Sequence, residues 1–297
     1  MMELSLCTIS FRHQLIALPD IASWAAQAGF QAIELWGVHA FHLSDQLHLD
    51  AAWLNEEHGL RVSMLSDYLP MDGDERAALT RMRSLCRLAN HWGALKVRTF
   101  AGKLASHQLS RTQYQALVGR MRRLCDVAAE HQVSLLVETH PGTYADCTPT
   151  ALELMGNVDH PACGLNFDVL HLWEAGEDPA ESWKVLAPYV KHLHLKNIRQ
   201  RELLPVFAPH NVYAPAGSRE GMVPLFAGAC DYRDFFRRLP RDRFYQASLE
   251  WFGGFCKSVL KYDCWDVHQQ FGDRETQIIK NPMSHNKHIG IPSRAAN

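Results

Sequence analysis

The sequence predicts an α/β protein, a (β/α)8 TIM barrel, on three observations. Eight short apolar, strand-like runs recur along the chain. Most are followed by a stretch with helical periodicity, and several of the helix starts carry capping signatures. Repeated strand–helix units imply a parallel sheet, because a right-handed crossover returns each strand beside the last. Eight units in 297 residues suit one closed barrel better than an open sheet.

The strands are expected at 4–9, 32–36, 61–65, 95–99, 134–138, 164–168, 190–196 and 245–250. Leu18-Pro19-Asp20 places Pro in a first helical turn, where its missing N–H costs nothing. Ser110-x-x-Gln113 reads as a capping box. Thr148-Pro149 reads as an N-cap followed by Pro at the first helical position, and Asp178-Pro179-x-Glu181 repeats the pattern with a capping-box-like carboxylate. Two segments break the rhythm. Residues 197–229 are long for a βα loop, and their aromatic and apolar content (Phe207, Tyr213, Met222, Phe226) predicts an ordered lid. The barrel is expected over 1–270, followed by a polar tail, 271–297, that packs loosely or is disordered and has no assigned function.

Bulk properties narrow the partners. A hydrophobic fraction of 47% supports a sizeable core. With 30 basic and 32 acidic residues, net charge −2 and no basic stripe, nucleic acid is not an expected partner. None of the eight cysteines lies in a Cys-x-x-Cys pair, so free thiols in a reducing compartment are expected. The N-terminus lacks a signal-peptide pattern and no apolar run is long enough to span a bilayer, so the expected location is cytoplasmic, without a membrane partner. The sequence leaves a homo-oligomer open.

In such a barrel the active site lies at the C-terminal ends of the strands. Strand five ends on Glu138 and is followed by His140; strand six ends on Asp168, with His171 three residues on. Strand seven carries His192, His194 and Lys196, and strand eight ends on Glu250. Side chains two apart share a face, so Glu138, Asp168, His194 and Glu250 converge at equivalent depth from four consecutive strands. Three carboxylates and an imidazole on one point repel unless a cation joins them. An oxygen-rich set with one nitrogen favours one divalent ion, Mg2+, Mn2+ or Co2+, with open positions for substrate oxygens. His192 shares the face one layer deeper, where a hydrogen-bonded core role is at least as good a reading.

This constellation resembles the xylose isomerase-like barrels, which include sugar isomerases, epimerases, inosose dehydratases and endonuclease IV. Longer motifs are similar to one branch, the bacterial 3-dehydroshikimate dehydratases of the siderophore-associated type. They are Leu6-Cys-Thr-Ile-Ser-Phe-Arg-His-Gln-Leu15, Ile33-Glu-Leu-Trp-Gly37, Val97-Arg-Thr-Phe-Ala-Gly102, Glu138-Thr-His-Pro141, Asn211-Val-Tyr213, Gly221-Met-Val-Pro-Leu-Phe226 and Ser248-Leu-Glu-Trp-Phe-Gly253. They run in order over most of the chain. The resemblance implies metal-dependent dehydration of a small anionic substrate, 3-dehydroshikimate, to 3,4-dihydroxybenzoate (protocatechuate) through a metal-stabilised enolate.

For that chemistry His140 and His171 are the proton-transfer candidates, His140 taking the α-proton and His171 assisting the departing hydroxyl; exchanged roles, or orientation of a metal ligand, stay open. Arg98 offers a bidentate fork to the substrate carboxylate, and Lys196 a point charge that also suits an enolate; an ion pair with a neighbouring carboxylate is the other reading of each. Tyr68 and Tyr213 are candidate hydrogen-bond donors; Phe207, Phe252 and Trp173 are candidate apolar walls; Arg12-His13 are placed at the rim. The rival reading is a sugar or hydroxypyruvate-type isomerase or epimerase using the same metal-enediolate chemistry, and Arg98 and Lys196 argue for the anionic substrate instead. Endonuclease chemistry would need several metals and a basic face, and a non-catalytic barrel would have no use for an intact ligand set.

Overall fold

The computed structural model describes residues 1–271. The expected tail lies outside them, apart from Phe271, which ends the last helix. Eight parallel strands close into a barrel: β1 Met2–Cys7, β2 Ala32–Trp36, β3 Arg61–Ser66, β4 Lys96–Phe100, β5 Ser134–Glu138, β6 Cys163–Asp168, β7 Val190–Leu195 and β8 Tyr245–Leu249. They neighbour one another in sequence order, and β1 pairs with β8 (Leu6 opposite Leu249) to shut the barrel. The first strand stops at Cys7, two residues short of the expected end, because Thr8–Phe11 turns into a 3-10 helix.

Alternation decides which side chains meet the site. In β6, Leu165 and Phe167 are buried in the hydrophobic core, and Phe167 packs against Trp183 and Phe235 of the surrounding helices. Asn166 and Asp168 take the opposite face. The barrel interior is accordingly polar: Ser5 bonds Ser63, and His192 bonds both Ser248 and Lys96. Two register shifts accompany this lining. Opposite β2 the pairing steps from Ile33–Val62 to Glu34–Met64, and opposite β6 from Leu165–Val190 to Asn166–His192. Bulges of this kind re-aim side chains beside active sites.

The Ser110 capping box forms, its hydroxyl accepting from Gln113 N while Gln113 Oε1 accepts from Ser110 N. Asp178 caps Pro179–Leu186, but Glu181 does not reach back; it pairs with Lys184 and Arg238. The expectation for Thr148 is corrected: Cys147 is the N-cap and Thr148 the first helical residue, its N–H satisfied by Glu177. The long 197–229 segment is built, as expected, from ordered pieces. Asn197–Ile198 pairs antiparallel with Met222–Val223, and Arg201–Phe207 and Pro209–Val212 form short helices. No helix among the described residues is long and apolar enough to cross a membrane.

Two buried side chains fasten that segment. Asn197 donates to Leu225 O and Cys230 O and accepts from Ile198 N and Cys230 N. Asp263, in the last helix, accepts from Leu225 N. Removing the amide strands several buried backbone groups, so Asn197→Ala should lower urea-measured stability by about 2–3 kcal/mol. Burial, with Asp266 nearby, pushes Asp263 up to about 7. Its folded form therefore holds a proton that the unfolded chain has lost, and its contribution to stability declines as pH rises from about 4 through 7. Asp263→Asn should accordingly stabilise the fold more at pH 8 than at pH 5 in paired denaturation curves.

Candidate active site

The four expected ligands come together at the strand mouths. Glu138 and Asp168 end β5 and β6, His194 lies next to the end of β7, and Glu250 follows β8 directly. One donor atom from each lies within 4.8 Å of the others, and all four residues are buried. Asp168 is fixed twice: it caps the helix Val169–Glu174, accepting from His171 N through Oδ1, and turns Oδ2 toward the site.

His194 shows what the cluster lacks. Its Nε2 lies 2.8 Å from Glu34 Oε2, and a carboxylate oxygen only accepts, so Nε2 carries the proton. Nδ1 then faces Glu138 Oε1 and Glu250 Oε2, each 3.5 Å away, and is the ring atom left to meet an ion. Neither Nδ1 nor Glu138 Oε2 has a hydrogen-bond partner among the described residues. A divalent cation fits this donor set. In its absence burial pulls His194 down, but Glu34, Glu250 and Glu138 outweigh it and hold the ring well above its ordinary pKa. For Glu138 burial is overridden by Arg98 and His194, and for Asp168 by His171 and Lys196, so both carboxyls stay below their ordinary values.

Beside the cluster opens a cavity. Every expected catalytic and substrate-contact residue lines it: Arg98, Tyr68, His140, His171, Lys196, Phe207, Tyr213 and Phe252. Both cations lie against neighbouring carboxylates, the other reading of each. Lys196 Nζ bridges Asp168 Oδ2 (2.5 Å) and Glu250 Oε2 (2.7 Å), which outweighs its burial and raises its pKa. Arg98 Nε lies 2.9 Å from Glu138 Oε2, without hydrogen-bond alignment, and its Nη1 is unpartnered.

The two histidines are differently set. His140 Nδ1 sits 2.6 Å from the Pro141 carbonyl, so it donates and Nε2 keeps its lone pair. Burial and the neighbouring His171 push His140 down to about 3. His171 Nδ1 donates to Glu174 Oε2 at 2.8 Å, and the two imidazoles lie 4.4 Å apart. Tyr213 stacks on Trp36 and meets Tyr68 edge-on, bringing the lid over the cavity.

Trp173 is not a wall of the cavity; it packs under Arg201. Arg12 and His13 do not reach into it: Arg12 donates to Val212 O and stacks on Phe252, and His13 approaches the same carbonyl, so both brace the lid. His192 is hydrogen-bonded core. Sequence reasoning missed Glu34, a carboxylate in an apolar strand, and Phe100, which packs against His140.

Residues 22–257 match the family of xylose isomerase-like TIM barrels. The chain is 44% identical to the 3-dehydroshikimate dehydratase of Bacillus anthracis over 265 residues, which is 88% of this chain and 94% of that one. The crystal structure of a probable 3-DHS dehydratase involved in petrobactin synthesis in Bacillus anthracis superposes with a TM-score of 0.85 at 43% identity, covering 89% of this chain and 98% of that one. The IOLI protein with a bound zinc atom shares the fold (TM-score 0.72, 16% identity, 91% of this chain and 98% of that one). The chain belongs to the xylose isomerase-like TIM barrels and, within them, to the family of the 3-dehydroshikimate dehydratases.

Metal should bind the folded chain alone, since the four donors converge only there. Mn2+ added at a hundred times its Kd should stabilise chelator-stripped protein by about 2.7 kcal/mol, seen as a rise in Tm. Glu138→Gln should show a much smaller rise at the same concentration.

Proposed function

We propose that this chain is a carbon–oxygen lyase that dehydrates 3-dehydroshikimate to 3,4-dihydroxybenzoate, with Glu138, Asp168, His194 and Glu250 holding one divalent ion. One juxtaposition carries the reading. A pair of imidazoles in unlike environments, two fixed cations and two members of the four-donor cluster, Glu138 and Glu250, line one cavity. An oxygen-rich set suits Mg2+, Mn2+ or Co2+. When bound, the ion supplies Lewis-acid stabilisation of the negative charge that develops on the substrate ketone oxygen.

The remaining work falls to side chains. Dehydration removes a proton from the carbon beside the ketone, expels the β-hydroxyl as water, and loses one further ring proton to reach the aromatic product. His140 suits the first transfer: it stays neutral, with Nε2 free to accept. His171 suits the second, because Glu174 at Nδ1 steadies the imidazolium that hands its Nε2 proton to the departing oxygen. Lys196 is held in its charged form and so acts as a fixed positive charge beside the enolate rather than as a base. Arg98, with Nη1 to spare, and Tyr68 are placed to receive the carboxylate. Phe207 and Phe252 pack together at the wall, and the lid carries Tyr213 in over the ring. Water is thereby kept from the reacting carbons. All eight cysteines are free, which suits a cytoplasmic enzyme.

The test is to follow protocatechuate absorbance after mixing metal-stripped protein, Mn2+ and 3-dehydroshikimate. Metal-dependent product is expected, and Glu138→Gln should abolish it. His140→Ala and His171→Ala should each lower kcat by roughly 10^2–10^4. Near-wild-type rates in both would remove the acid–base assignment. A folded, metal-loaded chain that forms no protocatechuate but interconverts ketoses would make it an isomerase.

A further inference from the structure

Beneath the four-donor cluster sits a fifth carboxylate that the reaction does not use. Glu34 lies on β2, across the barrel from β7, and is fully buried. Its Oε2 is 2.8 Å from His194 Nε2 and 3.9 Å from His192 Nε2, while Oε1 has no partner among the described residues. Burying a charge this deep is costly unless it does something for its neighbours.

Three observations define what that is. His192 is committed elsewhere: its Nε2 bonds Ser248 Oγ at 2.7 Å and its Nδ1 bonds Lys96 at 3.0 Å. Glu34 therefore has one strong partner, His194. The contact is a direct hydrogen bond of 2.8 Å in which the imidazole N–H donates to the carboxylate. The β2–β3 register shift begins at Glu34 itself, at the point where its side chain enters the barrel. We infer that Glu34 is the positioning residue of the metal site. It pins the proton of His194 on Nε2, sets the plane of the ring, and so keeps the Nδ1 lone pair aimed at the point where Glu138, Asp168 and Glu250 converge. A rotated or Nδ1-protonated imidazole would turn an N–H toward the ion position. This assignment rests on the proposed ligand role of the four residues.

The test compares wild type, Glu34→Gln and Glu34→Ala by chelator-competition titration with Mn2+, and by the visible absorption bands of the Co2+-loaded proteins. Partners of this kind typically contribute 10- to 100-fold to metal affinity. Wild type should bind one ion per chain. Glu34→Gln keeps an acceptor at Nε2 and should bind about 10-fold more weakly with wild-type Co2+ bands. Glu34→Ala should lose about 100-fold and show altered bands, because the imidazole is free to turn. Unchanged affinity and bands in Glu34→Ala would overturn the assignment. So would a wild type that binds two ions and a variant that binds one, since Glu34 would then be a ligand itself. Should Glu34→Ala not fold, wild-type affinity in Glu34→Gln overturns it alone. A wild type that binds no divalent ion would instead remove the ligand reading on which it rests.

Discussion

The mouth of this barrel is governed by charge balance in a place without water. Glu34, Glu138, Asp168 and Glu250 are all buried within reach of one imidazole. Two fixed cations, Arg98 and Lys196, face them from the barrel wall. Like charges this close, in a medium that screens poorly, repel by several kcal/mol per pair unless countered. A divalent ion would bring the group to neutrality, and His194 Nδ1 faces the point where such an ion would sit. The parallel strands supply the rigidity: each donor sits at or beside a strand end, where the backbone is tied to both neighbours.

That constraint explains features which look separate. Asp168 caps a helix with one oxygen, which fixes the direction of the other. Lys196 bridges two carboxylates rather than waiting free for substrate, so the cluster is partly compensated even without an ion. The polar interior below, from Ser5 and Ser63 to His192, Ser248 and Lys96, gives the lower imidazole full hydrogen bonding. On the outer side the lid is tied down at its base by Asn197 and Asp263 and braced near its tip by Arg12. Rigid floor and fastened cover leave the cavity between them as the place for chemistry.

The strand order and the convergence of the four donors were legible because both follow from short-range rules. Period-two alternation assigns a face, and a closed parallel barrel assigns an end. What escaped was set by contacts distant in sequence. Glu34 meets His194 across 160 positions, and nothing local in Ile33-Glu34-Leu35 reveals a partner on the opposite wall. Thr148 was mistaken for a cap because the true cap, Cys147, uses an unusual residue, and Glu177 satisfies the threonine N–H from another segment. Trp173 read as a pocket wall on composition alone, whereas Arg201 draws it to the outside of the site.

The cluster by itself does not choose a reaction, because an ion that steadies an enolate serves isomerisation and elimination equally. The choice rests on what stands over the substrate. An isomerase returns the abstracted proton to the neighbouring carbon, and one base can do both transfers. Elimination needs a second group, an acid, aimed at the departing oxygen while the first still holds its proton. In the proposed assignment His140 and His171 fill those two places: one is buried against a carbonyl and kept neutral, and the other donates through Nδ1 to Glu174. Their ring centroids stand 4.4 Å apart, so two imidazoles of unlike surroundings face one substrate. A separate base and acid in one pocket, more than the ion, would incline the site toward loss of water.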